Sequence, residues 1–232
     1  MKTLIMKLLA FLGIVPKDTS HTAAVVIGVE KGKYGSCPGA IADSSRMKNL
    51  LRDYTGDVTL LQNNQATRAA VSAALSKGAS KDLLIVYYSG HGGQAGRGDS
   101  SEADGKDEYL CLYDGALYDN DIWNVVNTAK RTFLIFDCCH SETMYRAIEA
   151  MTAQVRAAGE GPTMLCWSGC PDNTYSYGDV DGGKFTNAFM KAFDRRMTYG
   201  QVWTRLSNDA GLKSYQTPRK TQIGKWTGLV FR

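Results

Sequence analysis

The chain has 232 residues, a net charge of +4 and 44% apolar residues, enough for one large α/β domain with a sizeable core. The mild basic excess contains no Lys/Arg block, which argues against a nucleic-acid binder, and no apolar run reaches the roughly 18 residues of a membrane span. Six cysteines without C-x-x-C or C-x-x-H spacing read as reduced thiols of a reducing compartment, with no disulfide framework expected.

Residues 1–21 read as a leader segment. Its apolar stretch is interrupted by Lys7, and no A-x-A-like cleavage site precedes Lys17 and Asp18. A short leading helix on a cytoplasmic protein is expected. The alternative is export or membrane association through residues 1–16. Residues 22–30 form a β-branched apolar run and predict a buried strand. Residues 40–54 have helical spacing, with Ile41, Met47, Leu50 and Leu51 on one face. Residues 57–62 predict a second strand. Residues 67–78 predict a helix with Thr67 as N-cap and Gly78 after its end. Residues 82–89 predict the most apolar strand so far, and a polar glycine-rich loop then covers 90–108.

Residues 109–119 read as a hairpin turning at Asp114-Gly115. A helix over 120–130 is expected, capped from Asp119 or Asn120, followed by a strand over 131–139. Met144, Ile148, Met151 and Val155 recur at helical spacing, and 157–162 breaks that helix. A strand over 163–170, helices over 184–193 and 198–211, and a closing strand over 221–231 complete the chain. Strand and helix alternate. The pattern predicts a mostly parallel six-stranded sheet with helices on both faces. Residues 22–232 are expected to be one domain, with a larger part (22–156) and a smaller part (163–232).

In open parallel sheets, ligands bind beyond the C-terminal strand ends. "IVYYSGHGG" and "FLIFDCCHS" both turn polar at that end. If the two strands are neighbours, His91 and Cys139 face one crevice. An imidazole and a following helix N-terminus would favour the Cys139 thiolate. The N–H groups of Gly92 and Cys139 could hold a developing oxyanion. Cys138 reads as a small buried neighbour of the nucleophile. Zinc held by Cys138, Cys139, His140 and His91 is sterically poor. The Cys139–Arg146 spacing misses the phosphatase loop by one residue, and no nucleotide P-loop occurs.

"YYSGHG" and "DCCHS" resemble the His and Cys boxes of metacaspases and orthocaspases, members of the caspase-like cysteine peptidases, in which the imidazole precedes the nucleophile by a similar distance. "SGCPDNTYS" followed by "GGKFTNAF" resembles the small-subunit segment of the same family. The resemblance spans roughly residues 22–195 and implies the caspase-like three-layer sandwich. It implies Cys139 as nucleophile and His91 as general base, with Ser89 beside the base. It also implies Asp43 and Asp137 as the acidic pocket for a P1 Arg or Lys. Consistent with that pocket, no Arg occurs between Arg156 and Arg195. Ser168 and Trp167 are candidate groove residues.

The family often uses calcium as an activator, and the matching region here holds Asp104, Asp107, Asn120 and Asp121, hard oxygen donors of the right type. The family's further carboxylate falls near Arg146, which cannot be a ligand. No cofactor is needed for the chemistry. Self-processing, if it occurs, is expected after Arg156, with Arg146 the other candidate inside a predicted helix. The expected function is a cysteine endopeptidase cutting peptide or protein substrates after Arg or Lys, as a monomer by resemblance. The alternative is a non-catalytic or partner-activated caspase-like binding module.

Overall fold

The computed structural model describes residues 21–96, 106–138, 163–169 and 178–231. Among them, strands β1 (Thr22–Gly28), β4 (Asp57–Gln62), β5 (Leu83–Ser89), β9 (Arg131–Asp137), β10 (Thr163–Ser168) and β13 (Arg219–Ile223) make a six-stranded sheet. Its order is β13-β10-β9-β5-β1-β4, and only β13 runs antiparallel to its neighbour. Helices cover both faces, as the alternating pattern predicts.

Side-chain alternation sorts the core into two layers. Val25, Leu84, Val86, Leu134 and Phe136 point to the face covered by α2 (Arg68–Ala79) and α3 (Asp119–Val126). Val26, Ile85, Tyr87, Phe133, Ile135 and Trp167 point to the opposite face. There they meet α1 (Ala40–Leu51), α4 (Lys184–Ala192), α5 (Tyr199–Ser207) and α6 (Ala210–Lys213). The same parity puts Ser89 and Asp137 on the second face and Cys138 in the apolar cluster of the first.

Several local expectations change. Thr67 does cap α2, accepting from Ala70 N, but Gly78 lies inside the helix. A Cβ there would come within 2.6 Å of Leu84 Cδ1, so the glycine permits close helix–sheet packing rather than ending the helix. Residues 90–108 are not all loop. β6 (Gly92–Gly96) pairs with β7 (Lys106–Cys111), and β7 pairs with β8 (Ala116–Tyr118), making a separate three-stranded sheet. Backbone pairing suffices for β6, whose sequence GGQAG carries no apolar alternation. A short hairpin, β2 (Lys31–Gly32) with β3 (Gly35–Ser36), was hidden for the same reason.

Helix α3 begins at Asp119 and ends at Val126, so Tyr118 is the N-cap position in place of Asp119 or Asn120. Residues 198–211 split where Asp209 accepts from Leu212 N and starts α6. The closing strand is β13. It ends before Gly224, whose φ of +73° turns the chain. The helix expected over residues 144–155 lies outside the described residues. Among the described residues, no helix is long and apolar enough to cross a membrane.

Candidate active site

β5 and β9 are adjacent and parallel, with Ser89 paired to Asp137 in the last row. His91 and Cys139 each follow two residues beyond that row. The condition for bringing them to one crevice, that these strands be neighbours, is therefore met. Cys139 itself lies outside the described residues, as do Asp104, Arg146 and Arg156.

His91 is held from three sides. Its carbonyl accepts from Cys111 N at 2.9 Å and from Tyr88 Oη at 2.7 Å. Its ring Nε2 lies 2.9 Å from the carbonyl oxygen of Ser36, the last residue of β3. A carbonyl only accepts, so Nε2 carries the proton in this contact. In neutral imidazole, Nδ1 is then the acceptor. That assignment follows from the hydrogen-bond partner. Ser36 O thus orients the ring and selects the tautomer. The sequence gives little sign of this, because the partner is a backbone oxygen 55 residues away. Gly92 begins β6, opposite Leu110 of β7.

The acidic residues meet on the other side of the strand end. Asp43, in α1, is 1% exposed. Its Oδ2 accepts from Ser89 Oγ at 3.0 Å and Gly183 N at 2.8 Å, and its Oδ1 accepts from Arg46 Nη2. Burial lifts the Asp43 carboxyl above its ordinary pKa, against the lowering effect of the bonds from Gly183, Arg46 and Ser89.

Asp137 is also buried, and its Oδ2 accepts from Thr186 N at 2.9 Å and Thr186 Oγ1 at 2.8 Å. Those donors lie in the first turn of α4, whose orphan N–H groups and dipole favour an anion. Thr186 Oγ1 also lies 2.6 Å from Tyr87 Oη. Burial, then the Asp43 and Asp137 charges, raise the Tyr87 phenol well above its usual range.

The pair β11 (Gly178–Asp179) and β12 (Gly182–Gly183) closes over both carboxylates. Added Cβ atoms at Gly182 and Gly183 would fall 2.2 Å from Asp43 Oδ1 and 2.0 Å from Asp137 Oδ2. No larger residue fits without moving these groups. This small-part segment was legible in sequence only as a resemblance; its contacts bridge up to 140 residues.

Trp167 and Ser168 are almost fully buried. The Trp167 ring packs on Phe133 at 4.9 Å and Trp203 at 5.3 Å, within the core of the second face. Asp107 is buried on β7, whereas Asn120 and Asp121 open α3 and Asp121 is exposed. Among the described residues, no three His, Cys, Asp or Glu side chains converge to hold a metal ion.

A caspase-domain family profile matches residues 21–228. Metacaspase-3 of Arabidopsis thaliana is 27% identical over 81% of this chain and 64% of its own length. Metacaspase-1 of Pyricularia oryzae is 34% identical over 54% of this chain and 37% of its own. The chain thus spans less than two thirds of either relative. Among solved structures, a Geobacter sulfurreducens protein superposes with a TM-score of 0.72 at 23% identity, covering 90% of this chain and 98% of that one. Caspase-1 from Spodoptera frugiperda superposes with a TM-score of 0.63 at 14% identity, covering 91% and 89%.

Proposed function

Because the chain belongs to the caspase-domain family, we propose that it is a cysteine endopeptidase that cuts peptide bonds after Arg or Lys. The single observation that carries the reading is the Ser89–Asp137 row, which sets the strand ends leading to His91 and Cys139 side by side above two buried carboxylates. His91 Nδ1 takes the Cys139 proton, and the thiolate attacks the scissile carbonyl. The Gly92 and Cys139 amides hold the oxyanion. His91 then gives the proton to the leaving amine, and water hydrolyses the thioester. Asp43 and Asp137 supply the negative charge that selects a basic P1 side chain. Calcium stimulation and self-processing after Arg156 belong to the same reading.

The test is hydrolysis of matched fluorogenic peptides with P1 Arg, Lys or Asp, with calcium and with chelator, by the parent protein and Cys139→Ala. Cleavage after Arg or Lys that disappears in the variant is the expected result. Cleavage after Asp would overturn the pocket, and no cleavage in any arm would favour a binding module.

The pH dependence is also fixed in sign. Only ionised Asp43 attracts a cation, and burial raises its pKa above 3.8. Affinity for basic P1 residues therefore increases as pH climbs through that raised value, and KM falls. Asp43→Asn should remove this limb of the KM profile. The same shift contributes stability below the unfolded pKa that is lost as pH rises through the folded one.

A further inference from the structure

We propose that Arg46 is an internal competitor for the P1 cation: its guanidinium occupies the Asp43 side of the acidic pocket, and a basic substrate side chain must displace it. The proposal rests on the reading of Asp43 and Asp137 as that pocket.

Arg46 lies three residues after Asp43 on α1, and the two form an ion pair. The partners differ in freedom. The Asp43 side chain is 1% exposed, whereas the Arg46 side chain is 40% exposed. The carboxylate is fixed by Ser89 and Gly183 through Oδ2. Its other oxygen, Oδ1, accepts from Arg46 and, among the described residues, from no other donor. Oδ1 is therefore the oxygen an incoming cation would use, and it is already taken.

Arg46 is nevertheless held by one corner. Nη2 makes the bond to Asp43 and a long 3.4 Å contact to the Asp181 carbonyl, while the buried Nε has no hydrogen-bond partner among the described residues. An Arg–carboxylate pair at full strength uses two parallel N–H donors. Single-point attachment of a long, partly exposed side chain is a weak hold. The β12 backbone leaves no room beside the pair, since a Cβ on Gly182 would fall 2.5 Å from Arg46 Nη2. A second cation at Oδ1 would also meet Arg46 at like-charge distance. The incoming side chain and Arg46 thus exclude each other by charge and by space. With Arg46 in place, the two acids and one base leave a single net negative charge for the substrate. Without it, two remain.

The alternative role for Arg46 is a clamp that only ties the β11–β12 turn to α1. The two roles separate in equilibrium binding. Cys139→Ala protein, with Arg46 intact or changed to Gln or Met, is titrated calorimetrically with an acetylated tetrapeptide amide ending in Arg, and with its norleucine counterpart. Competition predicts that both substitutions tighten Arg-peptide binding by about fivefold or more, the scale of one weak ion pair, with no gain for norleucine. Equal or weaker Arg-peptide binding by folded variants overturns it.

Should the variants not fold, the intact protein gives the answer through the side-chain N–H resonance of Arg46 Nε. That signal should shift on saturation with the Arg peptide and not with norleucine; an unmoved signal at saturation overturns the proposal. Tighter binding without any cleavage after basic residues would fail the peptidase reading and leave the competitor standing. Cleavage after Arg or Lys without tighter binding would do the reverse.

Discussion

His91→Ala will lower kcat for P1-Arg peptides by about 10²- to 10⁴-fold, the usual contribution of a positioned general acid–base, while the melting temperature stays close to that of the parent. The separation follows from how His91 is held. The residue's backbone carbonyl takes the Tyr88 hydroxyl and the Cys111 amide, and these contacts survive loss of the ring. Among the described residues, the side-chain hydrogen bond lost is the one to Ser36 O, at a partly exposed position where water replaces it. Steady-state kinetics with a thermal melt on the same sample reads both quantities. A kcat within about threefold of the parent would remove His91 from the proton-transfer role.

Asp137→Ala is expected to act on both specificity and stability. The substitution strands two buried donors, Thr186 N and Oγ1, at a cost of about 1–3 kcal/mol. It also removes the anion at the first turn of α4. For a chain of this size, that lowers the melting temperature by roughly 2–12 °C. Selectivity should fall further, with kcat/KM for P1 Arg dropping about 100-fold or more, as loss of a buried charge partner implies. Asp137→Asn can keep one acceptor for Thr186 while losing the charge. It should recover most of the stability and little of the preference for Arg. If Asp137→Asn restored that preference, Asp137 would be a staple for α4 and not a P1 ligand.

The strands that carry the site were readable because they are buried on both faces. Runs such as LLIVYYS need no partner to be recognised. β4 matches the expected 57–62. Helix starts were readable where a hydroxyl caps them, as at Thr67. The mostly parallel six-stranded sheet followed from alternating strands and helices, but its order, β13-β10-β9-β5-β1-β4, was not readable in advance. β2, β3 and β6 were not readable, because glycine-rich strands are defined by backbone pairing with distant segments. Gly78 was misread as a stop signal because the Leu84 side chain it makes room for lies across a helix–sheet contact.

At the site, the adjacency of β9 and the β5 end that His91 follows was legible from where both strands turn polar, whereas the roles of His91, Asp43 and Asp137 rest on the family resemblance. Their holders were not legible. Ser36 acts through a carbonyl, and Gly183 and Thr186 reach the acids across 140 and 49 residues. Arg46 was within reach of sequence reasoning, as an acid and a base three apart on one helix face, but its meaning depends on what else Asp43 binds.

In the proposed reading, Cys139, and not its buried neighbour Cys138, is the thiol that His91 activates for substrates with basic side chains. The most direct measurement treats the parent protein and His91→Ala with a peptidyl acyloxymethyl ketone bearing P1 Arg, and in parallel with its P1 Asp analogue. Adducts are then mapped by peptide mass spectrometry. The account predicts one adduct, on Cys139, formed by the Arg reagent, slowed strongly in His91→Ala and absent with the Asp reagent. Labelling of another cysteine, labelling that ignores the loss of His91, or equal labelling by both reagents would contradict it.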